Sequence, residues 1–102
     1  MNIEILRSLM ENGSILWTTH CLARMGERDI QRDDVRNCIM NGEIIEDYPD
    51  DFPHPSCLIF GMTLENKILH VVAGTDGIYL YIITAYYPTA DKFEPDMKTR
   101  RR

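Results

Sequence analysis

The chain has 102 residues and a mass of 11.9 kDa, room for one hydrophobic core. Its 44% hydrophobic and 26% charged residues exclude the disordered class. The net charge of -5 argues against a general nucleic-acid binder, whose surface is basic throughout. That charge is uneven: residues 1–51 carry 11 acids and 5 bases, whereas residues 52–102 carry 5 acids and 6 bases. The longest apolar run, Ile78 to Tyr87, is interrupted by Thr84 and falls well short of the roughly 20 residues a spanning helix needs. With no basic stretch leading into an apolar one near Met1, the expectation is a cytoplasmic protein without a membrane segment. Cys21, Cys38 and Cys57 form an odd set without a C-x-x-C pair, which predicts reduced core residues rather than a disulfide framework or a zinc site.

In chain order, Ile3, Leu6, Leu9 and Met10 stand at helical spacing and predict a first helix, stopped by Asn12-Gly13. Ile15-Leu16-Trp17 reads as a brief strand. Thr18 and Thr19 are good N-caps for a second helix that reaches about Arg28, with Cys21, Leu22 and Met25 on its inner side. Gly26 weakens that helix by about 1 kcal/mol relative to alanine. A third helix starts at Asp33-Asp34, carries Val35, Cys38 and Ile39 inward, and stops at Asn41-Gly42. Ile44-Ile45 and Tyr48 then suggest a strand, and the prolines between Pro49 and Pro55 require an irregular loop. Cys57 to Leu64, Lys67 to Thr75 and Ile78 to Tyr87 are β-rich, and the short Glu65-Asn66 and Asp76-Gly77 links make them an antiparallel meander. The stretch beyond Pro88 has little apolar content, so residues 97–102 are expected to be a frayed basic tail. The expected fold is α+β: one domain over 1–102 with its core at about 15–96, two or three helices packed on an antiparallel sheet of three or four strands.

Two constellations point to chemistry. His20, Arg24 and Arg28 are spaced by four, so a continuous helix places two cations and an imidazole on one face, suited to an anion. Glu27, Asp29 and Asp33 offer the alternative of solvated ion pairs. In the β-rich half, His70, Thr84 and Tyr86 are polar residues within apolar runs, and Thr84 and Tyr86 share a face in a regular strand. Ordinary satisfied sheet positions are the other reading of the same residues. Tyr48 stands in an acid-rich run, Glu43 to Asp51, but neither helical nor strand spacing converges those carboxylates, and no metal or other cofactor is expected.

Larger patterns run through the same residues: T-x-H-x-x-x-R-M-x-x-R-x-I over Thr18 to Ile30, N-G-E-I-I-E-D-Y from Asn41, and L-H-V-V-A from Leu69. To these are added I-I-T-A-Y-Y-P at Ile82 to Pro88 and K-F-E-P-D at Lys92 to Asp96. From about Ile15 onward the chain resembles the bacterial domain-of-unknown-function family numbered 4258. The resemblance implies a relative of the BrnT and RelE type toxins, small RNA-cleaving α+β domains with a RelE- or barnase-like sheet that work without a metal beside a small antitoxin carrying a zinc-binding domain. Carried onto this chain, it implies His20, Arg24, Arg28, His70, Thr84 and Tyr86 as catalytic, Tyr48 and Lys92 on the substrate, and RNA, free or ribosome-associated, and an antitoxin as partners. Arginines would stabilise the phosphate in the transition state, a histidine would serve as base or acid, and Tyr86 would stack on a base or donate a proton. The rival expectation is a non-catalytic anion- or protein-binding module of the same fold, which the acidic balance favours.

Overall fold

The computed structural model describes residues 1–102, and its first helix, α1 (Ile3–Glu11), begins where the Asn2 side chain accepts the backbone N–H of Glu4 at 2.8 Å. Gly13, at φ +73°, turns the chain into strand β1 (Ile15–Trp17). Helix α2 (Thr19–Glu27) is capped by the Thr18 hydroxyl, which accepts Cys21 N–H at 3.0 Å. Its end is a left-handed turn at Asp29, φ +56°, where Ile30 N–H donates to the Met25 carbonyl and Asp29 N–H to that of Gly26. Met25 and Ile30 are both buried, so the stop is anchored in the core.

Helix α3 (Arg32–Asn41) is closed at its N-terminus by Asp34, whose carboxylate accepts Gln31 N–H at 2.8 Å and, from its other oxygen, Leu64 N–H at 3.0 Å. One buried acid thus closes the helix and ties it to the sheet. Strands β2 (Glu43–Tyr48), β3 (Ser56–Met62), β4 (Ile68–Thr75) and β5 (Leu80–Tyr86) follow as an antiparallel meander. The sheet order is β1-β5-β4-β3-β2.

The α+β class and the helices-then-sheet order are as expected, with one correction: the sheet has five strands rather than three or four, and β1 runs parallel to β5. A three-residue run carries too little pattern to reveal its partner. Here Leu80 N–H donates to the Ser14 carbonyl at 2.8 Å and fixes Ile15 opposite Leu80.

The helices cover one face. Leu69, Val71 and Ala73 of β4 pack there with Cys21, Met25, Val35, Cys38 and Ile39, and the three cysteines are free and buried. Burial pushes the Cys38 thiol up to about 12 and that of Cys57 to about 11, so both are neutral packing groups. No helix is long and apolar enough to cross a membrane.

The other face, carrying Phe60, His70 and Tyr86, is covered by the C-terminal segment. Phe93 is buried against His70, Glu94 N–H donates to the Thr99 carbonyl at 2.7 Å, and Arg101 N–H to that of Lys92 at 3.0 Å. The segment over 97–102, expected to fray, is instead held as far as Arg101, because Phe93 supplies an anchor and backbone pairs close the loop behind it. Arg100 and Lys98 add guanidinium and ammonium contacts over the Phe93 and Phe60 rings at 5.0 and 4.8 Å.

Two glycines in this frame have opposite roles. A methyl at Gly61 would stand 2.7 Å from the Cys38 sulfur and carbonyl oxygen, whereas one at Gly26 would meet open space within a helix. Gly61→Ala should therefore destabilise the fold by about 1–3 kcal/mol through overpacking, and Gly26→Ala should stabilise it by roughly 0.5–1 kcal/mol. Urea unfolding of both variants checks the pair of signs.

Candidate functional site

On the outer sheet face, at the α2 C-terminal end, lies a cavity of about 510 Å³ lined by Arg28, Tyr86, Tyr87, Lys92, Phe93 and Arg100, with Thr89 at its edge. Each wall has a local origin. The left-handed stop after α2 leaves Arg28 at the helix end facing β5, where its Nη1 donates to the Ala85 carbonyl at 2.8 Å and approaches Thr84 Oγ1 at 3.4 Å. Tyr87 Oη donates to the Asp29 carbonyl at 3.1 Å and fixes the same corner.

Tyr86 comes from the β5 register. A bulge opposite Val72 and Ala73 leaves Ile83 unpaired, after which Thr84 faces Val72 and Tyr86 faces His70. Lys92, Phe93 and Arg100 come from the docked C-terminal segment.

Beneath the cavity is His70, 0% exposed. Its Nε2 lies 2.6 Å from the Met97 carbonyl oxygen, which can only accept, so Nε2 carries the proton and Nδ1 faces Tyr86 Oη at 3.3 Å as an acceptor. Burial holds the imidazole below its ordinary 6.5; the Met97 bond opposes this and the Arg100 charge adds to it. Burial likewise pushes the Tyr86 phenol up, against the pull of Arg100. The pair is thus a neutral phenol donating to a neutral imidazole.

Arg100 links the cavity to β2. Its Nε donates to both Glu46 oxygens at 3.0 and 2.9 Å, and its charge bears on the Tyr48 and Tyr86 phenols. Tyr48 donates to Glu46 as well, and burial followed by that bond pushes its pKa up. The acid run divides among cations: Glu43 pairs with Lys98, Glu46 with Arg100, and Asp47 with the Met1 amine.

The residues singled out from the sequence therefore separate. Arg28, Thr84, His70 and Tyr86 meet around the cavity, and Lys92 lines it. Tyr48 sits behind it, donating to Glu46, the carboxylate that holds Arg100. Arg24 is ion-paired to Glu27 at 3.1 Å on the surface. His20 is exposed in the first turn of α2, eight residues and so about 12 Å of helix axis from Arg28.

Tyr87, Thr89 and Phe93 were not singled out as site residues, and Glu46 and Arg100 stood out only as members of the acid-rich run and the basic tail. The available signal was Phe93, a lone bulky apolar residue in the polar stretch beyond Pro88.

The site is an open, cation-lined cavity on the sheet of an α+β domain. The family comparison is consistent in extent: residues 17–87 match the model of Domain of unknown function (DUF4258), more than half of the chain, and the protein belongs to that family. No curated protein and no solved structure matches it. Thr89, Lys92, Phe93 and Arg100 lie beyond the matched stretch.

The buried imidazole makes a pH prediction. A folded-state pKa below the unfolded value means that the stability from neutral His70 is complete above about 6.5 and is lost as pH falls through the folded midpoint. Nitrogen-15 NMR should show the Nε2-protonated tautomer at pH 7 and a midpoint below 6.5. A midpoint at or above that value would contradict the arrangement.

Proposed function

We propose that this protein is a metal-independent endoribonuclease of the toxin type, acting in the cytoplasm on single-stranded RNA and restrained by an antitoxin. One observation carries the reading: in an acidic chain, Arg28, Lys92 and Arg100 line a single cavity beside a tyrosine hydroxyl backed by an imidazole. Arg100 is paired with Glu46 but Arg28 and Lys92 make no carboxylate pair, and a phosphodiester between three donors and a proton acceptor is an anion that fits.

In the cleavage step the RNA 2′-oxygen attacks phosphorus while the P–O5′ bond breaks. Tyr86 Oη takes the 2′-hydroxyl proton as its own passes to His70 Nδ1, and the Met97 carbonyl holds the resulting imidazolium through Nε2–H. Arg28 and Arg100 stabilise the phosphorane charge, and Lys92 supplies a proton to the leaving 5′-oxygen. The products are a 2′,3′-cyclic phosphate and a 5′-hydroxyl. Within this scheme His70 acts through Tyr86, Tyr48 acts through Arg100, and His20 and Arg24 lie outside the centre.

A binding module is the second reading, and a specific observation favours it: the imidazole beside this cavity has no exposed atom, so no histidine there touches a ligand. Incubation with single-stranded RNA in excess chelator separates the two. The nuclease reading expects cyclic-phosphate ends, a loss of about 10²- to 10⁴-fold in Tyr86→Phe, and near-parental rates in His20→Ala. RNA that binds the parent protein and stays intact would establish the module instead.

A further inference from the structure

A second cavity, about 620 Å³, opens beside the first and shares Arg100 with it. Its walls are Ile45 and Glu46 of β2 and the chain from Lys98 to Arg102. That chain bends over Met97 to Thr99, where Asp96 accepts the Lys98 and Thr99 N–H groups, and then returns through the Phe93–Arg100 bridge, where Arg101 N–H donates to the Lys92 carbonyl. Lys98, Arg100 and Arg102 all line this cavity. Lys98 and Arg100 lie over aromatic rings of the outer face, and Arg101 is held by the Ala90 carbonyl and Glu94.

The row of cations therefore starts in the first cavity with Arg28 and Lys92, passes through Arg100, and continues into the second with Lys98 and Arg102. Lys98 faces Glu43 at 3.0 Å and Arg100 faces Glu46 at 2.9 Å, but these pairs are partly exposed, where ion pairing is weak and a phosphate can displace a carboxylate. One phosphodiester is served by the first cavity alone. Two cavities joined by a shared guanidinium suit consecutive phosphates of one flexible strand.

We infer that the second cavity is a strand-binding subsite for the phosphates flanking the scissile one, so that the substrate is a single-stranded RNA of several nucleotides rather than a nucleotide or a very short oligomer. The inference rests on the RNA reading of the first cavity.

Oligoadenylates with 2′-O-methyl groups test it, since the attacking hydroxyl is blocked. Titrations of the full chain, followed by amide chemical shifts, should show an octamer binding at least about tenfold more tightly than a trimer and shifting amides of both cavities. In the Lys98→Ala, Arg102→Ala double variant, octamer affinity should fall about tenfold at low salt. The slope of log K against log salt should become shallower by about 1.4, two contacts at roughly 0.7 each, while trimer binding is unchanged. The charge-keeping Lys98→Arg, Arg102→Lys variant should restore both.

A trimer that binds as tightly as the octamer, or a double variant with parental affinity and slope, would overturn the subsite while leaving the first cavity's assignment standing. If neither RNA binds the parent, the RNA reading falls and takes the subsite with it. An octaglutamate peptide binding as tightly as the octamer would assign the cations to an acidic protein segment and overturn the RNA assignment.

Discussion

The outer face of this molecule depends on one buried imidazole. His70 lies between the sheet and the C-terminal segment, giving its proton to the Met97 carbonyl on one side and facing the Tyr86 hydroxyl on the other. A buried donor left without an acceptor costs about 1–3 kcal/mol, so the Met97 contact is a strong reason for the segment to return to the sheet. That return brings Lys92, Phe93 and Arg100 to the cavity. The same bond fixes the tautomer, which aims the acceptor nitrogen at Tyr86. Docking of the chain end and preparation of the site are therefore one event.

Electrostatics explain how an acidic protein keeps a cationic cavity. The acids of β2 do not spread their field evenly; Glu43 and Glu46 are tied to Lys98 and Arg100 and hold them in place. Arg28 has a backbone carbonyl and a hydroxyl as its partners. The carboxylate at Glu46 uses Arg100 Nε and leaves the remaining guanidinium donors for the cavity. Such a site favours an incoming anion without making the whole surface attractive to nucleic acid.

Helical periodicity and turn residues made the order of elements legible, because Leu6, Met10, Cys38 and Ile39 are buried where their spacing places them. Strand alternation placed His70 opposite Leu69 and Val71 and paired Thr84 with Tyr86, and these predictions carry into the site. The i, i+4 spacing of His20, Arg24 and Arg28 was correct about the helix but not about a shared centre. Only the last of the three reaches β5, since the left-handed stop at Asp29 sets the direction of Arg28 alone. Parallel pairing of β1 was hidden because it joins residues 65 positions apart through three strand positions. The docked tail was hidden for a related reason: its anchor is a single Phe93, and its ties to the rest of the chain, such as Arg100 to Glu46, join residues far apart in sequence.

Amide hydrogen exchange in a His70→Leu variant tests the central claim, that this imidazole docks the chain end that completes the site. Leucine keeps much of the packing and removes both hydrogen bonds. Protection of the Glu94 and Arg101 amides should fall at least about tenfold, while the β3 and β4 amides remain protected, since local opening is cheaper than global unfolding. Unchanged protection at Glu94 and Arg101 would contradict it and leave Phe93 packing as what holds the segment.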